Sequence, residues 1–147
     1  MGENYGRSFA SKLIDDERYE EALVAGTEAE QRDPLDPEPV LDRARALLAL
    51  RRWTDAATEV ERAMSVDQAA GLLETDLVDD TFFQALLGEA RMVAGTDLAR
   101  ALDQLARYAK VLPSGRHLTD AQTWGGRLRG EGKHDVIVKT YEGTKVR

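Results

Sequence analysis

Apolar and small side chains return along the first seventy residues at helical spacing. Leu41, Ala44, Leu47 and Leu48 make one apolar face, and Ala56, Val60, Ala63 and Met64 make the matching one. Apolar positions three, four and seven residues apart belong to helices that bury one side. The spacing predicts a helical pair over about Glu38 to Leu50 and Trp53 to at least Val66, with Thr54 and Asp55 as oxygen acceptors near the start of the second helix. An earlier pair is predicted over about Asn4 to Asp15 and Glu17 to Gln31. It ends at Asp33-Pro34-Leu35-Asp36-Pro37, where two X-Pro steps disfavour helix.

Tyr19, Ala22 and Ala29 recur thirty-four residues later as Trp53, Ala56 and Ala63. In each copy an aromatic opens a helix and two small residues follow on nearly one stripe, which lets a neighbouring helix approach closely. Helical hairpins of this period cannot bury both faces alone, so they stack and leave an extended concave surface. A third pair is displaced. Gly88 and Gly95 are seven apart, Ala101 and Leu105 match Ala56 and Val60, and Pro113 closes the segment as Pro34 closes the first. The interval from Ala56 to Ala101 is forty-five residues, and most of the excess lies in DQAAGLLETDLVDD, residues 67–80. That insert reads as a lengthened helix end or a separate short helix. Leu73 and Leu77 share a face there, which is expected to cover the stack or meet another subunit. The first helix of the third pair stays open by one register. A fourth pair begins near Leu118, with Trp124-Gly125, Gly132, His134 and Ile137 in the repeat positions. Its Val136-Ile137-Val138 suits a strand by propensity, but the repeat alignment favours helix.

The expected fold is all-α, an α-solenoid of antiparallel hairpins in one domain over 1–147. Its repeats fall at about 3–36, 37–70, 82–115 and 118–147, with the insert at about 67–80. A chain of 147 residues has room for one core of that size. With no cysteine the fold must rest on packing. No apolar run approaches the roughly twenty residues of a membrane span, so a soluble, cytoplasmic protein without a membrane partner is expected. Gly2 follows Met1 as in a myristoylation signal, but Gly6 stands where Ser or Thr is wanted.

Charge is polarised along the chain. Residues 1–50 carry six Lys/Arg against twelve Asp/Glu, 51–110 seven against eleven, and 111–147 seven against four. The acidic body argues against a nucleic-acid partner, because phosphate contacts dominate such binding.

Written together, LIDDERYEEAL, LLALRRWTDAA and LRGEGKHDVIV are similar to one another, and the chain resembles the tetratricopeptide repeat (TPR) family. The matching residues are Ala10, Tyr19, Ala22, Ala29 and Pro34, then Ala44, Trp53, Ala56 and Ala63. Leu87, Gly88, Ala101 and Pro113 follow, then Trp124, Gly125 and Gly132. The departures are Gly26 where a larger apolar residue is usual, Gln68 for the exit Pro, and Tyr108 for a small residue. The resemblance implies a groove, lined by the first helices, that binds a peptide or partner protein. It would expose Asn4, Arg7, Ser11, Glu38, Leu41, Arg45 and Leu48, then either Phe82, Ala85, Glu89 and Met92 or their neighbours one register away, then Gln122 and Arg129. Leu41, Leu48 and Met92 also suit a core. Some members clamp a terminal carboxylate with a basic residue followed by Asn; here Ser11 replaces that Asn and Asp42 adds a negative charge, so this clamp is not expected. Arg7 and Arg45, as the groove's cations, favour an acidic or C-terminal segment.

Chemistry of other kinds finds little support. His117 and His134 are the two histidines and neither has a second ligand at helical spacing, so no zinc or other metal site is expected. Adjacent acids such as Asp15-Asp16-Glu17 suit helix starts for dipole reasons. Gly125-Gly126 lacks the Lys-Ser/Thr of a phosphate loop, and no nucleophile elbow is present. The expectation is therefore a non-enzymatic adaptor with no cofactor. A small acidic TPR secretion chaperone for one client is the nearest alternative, and a helical enzyme or regulator with its site at a subunit interface is the alternative of another class. Apolar terminal faces of such a stack make a homodimer the expected state.

Overall fold

The computed structural model describes residues 8–68 and 71–130. Every regular element among them is a helix: α1 (Phe9–Asp15), α2 (Tyr19–Arg32), α3 (Glu38–Ala49), α4 (Trp53–Asp67), α5 (Thr75–Val93), α6 (Leu98–Val111) and α7 (118–130). None of them is long and apolar enough to cross a membrane. The chain forms two compact units, one reaching to Ala85 and one starting at Leu86, so the division falls inside α5. Asn4, Arg7, Gly132, His134 and the segment 133–147 lie outside the described residues.

In the first unit the helix ends follow from local chemistry. Ser8 opens α1, its hydroxyl accepting the Ser11 N–H at 2.9 Å. Asp36 accepts the Glu38 N–H at 3.0 Å and Pro39 stands in the first turn of α3, where a missing N–H costs nothing. The two hairpin turns are copies of each other. Glu17 and Arg51, thirty-four residues apart, both sit at φ 61°. Around each the last helical carbonyls are closed in the same way. Arg18 N–H reaches Leu13 O at 2.8 Å and Glu17 N–H reaches Ile14 O at 2.9 Å; Arg52 N–H reaches Leu47 O at 2.9 Å and Arg51 N–H reaches Leu48 O at 3.0 Å. This is the left-handed C-terminal stop usually given to glycine, here imposed on two charged residues.

The small-residue stripe does what its spacing predicts. α1 packs on α2, α2 on α3, α3 on α4, and α1 also touches α3. Ala22, Ala44, Ala56 and Ala63 are wholly buried, with Leu13, Val40, Leu47 and Val60 filling between them. Gly26 has a specific cause. A Cβ there would stand 2.5 Å from Cγ of Arg43 and 3.1 Å from the Pro39 carbonyl, so a larger residue would close the path that the Arg43 stem takes. The insert is a lengthened helix. Gly71, at φ +62°, donates to Asp67 O, and the Asp67 carboxylate accepts the N–H groups of Leu72 at 2.6 Å and Leu73 at 3.2 Å. Residues 75–80 then form the first turns of the 19-residue α5.

In the second unit α6 begins at Asp97, whose carboxylate accepts the Arg100 N–H at 3.0 Å. Ala90, Ala101, Leu105 and Leu128 make a core against which Leu87, Val93, Ala94, Leu98 and Trp124 pack. Tyr108, the unexpected large residue, is wholly buried. Its hydroxyl accepts the His117 N–H at 2.9 Å, which pins the turn between α6 and α7.

Candidate functional site

The first helices of the two opening repeats meet through equivalent positions. Ser8 Oγ donates to Asp42 Oδ2 at 2.6 Å, and Arg45 Nη1 lies 3.5 Å from both Ser11 Oγ and Asp42 Oδ1. Ser8 and Asp42 are thirty-four residues apart, as are Ser11 and Arg45. The repeat period therefore places the same face of α1 and α3 side by side. Between them opens a recess of about 180 Å³, lined by Ser8, Ser11, Glu38, Leu41, Asp42 and Arg45. Its other wall is Leu72, Leu73, Glu74 and Leu77, from the insert.

Of the residues singled out in the sequence, Ser11, Glu38, Leu41 and Arg45 meet in this recess. Glu38 is exposed, Ser11, Arg45 and Leu48 are half-buried, and Leu41 forms part of the floor at 4% exposure. Glu89 requires correction. It is 2% exposed and its carboxylate accepts Nε and Nη2 of Arg100 at 3.2 and 3.0 Å, so it neutralises a cation within its own unit and is closed to a partner. Phe82 and Ala85 are wholly buried and close that register too. Met92, Gln122 and Arg129 are exposed within the second unit. Trp124 of that unit is stacked by the guanidinium groups of Arg91 at 4.8 Å and Arg127 at 4.2 Å.

Sequence reasoning missed Ser8 and the function of Asp42, although the thirty-four-residue spacing that aligns the repeats also pairs these two. It missed a second polar assembly as well. Arg62 forks onto Glu30 at 2.7 and 2.8 Å and onto Glu59 at 2.7 and 3.2 Å, while Arg43 lies 3.1 Å from Glu59 and 3.6 Å from Glu30. These four side chains tie α2, α3 and α4 together, and Glu59 is 8% exposed.

The two assemblies respond to acid in opposite directions. Hydrogen bonds from Arg62 hold the Glu30 carboxyl below the usual glutamate range against the opposing effect of burial. Its contribution to stability is present above that range and is lost as pH falls through the lowered value. Burial pushes the Asp42 carboxyl above the usual aspartate range, which the Ser8 hydrogen bond and the Arg45 charge do not overcome. The folded state thus holds that proton more tightly, and stability declines as pH rises from the usual aspartate range through the raised value. Thermal melts from acid to neutral pH should separate the two. Glu30→Gln is expected to lose about 1 kcal/mol at neutral pH, since Arg62 is partly exposed, with the deficit shrinking in acid. Asp42→Asn should gain on the parent as pH rises. A deficit for Asp42→Asn that grows toward neutral pH would reverse the assignment.

A family model for the tetratricopeptide repeat matches residues 13–74, from the end of α1 through the segment that walls the recess. Searches of curated proteins and of solved structures gave no match to the chain. Among the described residues no group of three or more His, Asp or Glu side chains is placed to hold a metal ion. The period, the paired turns and the side-by-side first helices agree with the family model: over residues 13–74 the chain is similar to the tetratricopeptide repeat family.

Proposed function

We propose that the chain is a non-enzymatic adaptor that holds a segment of another protein in the recess between α1, α3 and residues 72–77. Tetratricopeptide repeats are protein–protein interaction modules, and the finer reading is supported by one observation. The first helices of the two repeats in the matched segment, α1 and α3, converge on a recess that four of the expected contact residues line. Ser11, Glu38, Arg45 and Leu48 are the proposed contacts in the first unit, and Met92, Gln122 and Arg129, exposed in the second, are proposed as contacts within that unit. A photo-crosslinking side chain at Glu38, set against one at the exposed Thr58 of α4, tests this in extract of the source cell. Crosslinks from position 38 and none from 58 are expected. Equal labelling from both would place the contact surface elsewhere. A single secreted client among the crosslinked proteins would favour the chaperone reading over the adaptor.

A further inference from the structure

The charges around the recess are lopsided. Three acids, Glu38, Asp42 and Glu74, face one base, Arg45. Arg45 is already engaged by Asp42 and Ser11. Glu38 and Glu74 have no ion-pair partner among the described residues. The recess therefore carries a net charge of −2 with Asp42 ionised and −1 with it protonated. Leu41, Leu72, Leu73 and Leu77 supply apolar wall between these charges. At about 180 Å³ the space falls below the roughly 300–1,000 Å³ of small-molecule sites, and it suits one long side chain.

We propose that this recess accepts a lysine or arginine side chain of an extended partner segment, its aliphatic stem against the leucines and its cation between Glu38 and Glu74. The proposal rests on the reading that the partner sits in this recess. It reverses the acidic or C-terminal partner that the sequence suggests, because Arg45 is neutralised where it stands. A long basic side chain buries its stem along apolar surface while its charged end stays near water, which is the arrangement these walls and this rim offer.

Short capped peptides of one glycine-serine sequence, each carrying a single lysine, arginine, glutamate or norleucine, are the probe, read by fluorescence anisotropy on the full chain. The lysine and arginine peptides should bind most tightly, and salt should weaken them. Glu38→Gln with Glu74→Gln should cost them about three- to tenfold, as two rim charges lost, whereas Arg45→Gln should strengthen them. Both changes leave buried side chains in place, and melting curves check that the variants are folded. Tighter binding of the glutamate peptide, lost in Arg45→Gln, overturns the proposal in favour of an acidic segment. Equal binding of all four peptides, or of none, overturns it too. A dimer that dissociates in the double variant identifies the occupant as a second copy and likewise overturns it. The crosslinking from position 38 is independent of these outcomes, so the recess can stand as the partner's seat while its preference for a cation fails.

Discussion

Tyr108→Ala should destabilise the second unit by about 3–5 kcal/mol, the cost of emptying a large aromatic site in a core. Among the described residues Tyr108 heads the fully buried side chains by volume. Its ring meets the His117 ring edge-on with centroids 6.2 Å apart. The following turn folds over its hydroxyl so closely that a Cβ on Gly115 would collide with it. Tyr108→Phe separates the two contributions. It keeps the ring and leaves the His117 N–H without its acceptor, for an expected cost of about 1–3 kcal/mol. Each unit contains one tryptophan, Trp53 in the first and Trp124 in the second. Urea unfolding followed by Trp124 fluorescence in a Trp53→Phe background therefore reads the second unit alone. A Tyr108→Ala protein with an unchanged midpoint would show that the buried ring supports nothing.

The second large effect is expected at Ala56. Its side chain is wholly buried, as are those of Ala22 and Ala101 at the corresponding positions. Ala56→Leu adds three carbons where α4 packs on α3, and overpacking of that kind costs about 1–3 kcal/mol. Ala57→Leu, one position along at 1% exposure, and Thr58→Leu at an exposed position calibrate the loss. The ordering of melting temperatures carries the test. Ala56→Leu melting with Thr58→Leu would mean that no helix faces Ala56 closely.

How much of this was legible depends on the kind of signal each element leaves in the sequence. Small residues at fixed spacing announce close helix approach, so α2, α3 and α4 lie within a residue or two of the expected bounds. Proline announces a stop, and α2 ends before Pro34. The left-handed residues gave no such notice, because Glu17 and Arg51 are not glycines and only their hydrogen-bond surroundings force the conformation. The insert was visible as excess length, yet whether it lengthened a helix or formed its own depended on the capping of Leu72 and Leu73 by Asp67, a contact across five and six residues that periodicity does not encode. At the site, exposure was the hidden variable. Ser11, Glu38 and Arg45 line the recess between α1 and α3, but a carboxylate such as Glu89 looks the same in sequence whether it faces solvent or an arginine of its own unit. The departure at Gly26 has its cause on the next helix, in the Arg43 stem that occupies the space a larger side chain would need.

Arg43 also carries a consequence for how the first unit opens. Glu30 belongs to the first repeat, whereas Arg43, Glu59 and Arg62 belong to the second, so this set of ion pairs crosses the boundary between repeats. Stability in a stacked array is a sum of terms within repeats and terms between neighbours, and these bonds add to the second kind. α2 is thereby bound to the repeat that follows it as well as to α1. In hydrogen exchange, slow amides of α2, α3 and α4 should then become accessible through one shared opening, with α1, which none of these pairs reaches, able to fray ahead of them. The cooperative element would be three helices that straddle two copies of the motif, out of phase with the repeat written in the sequence.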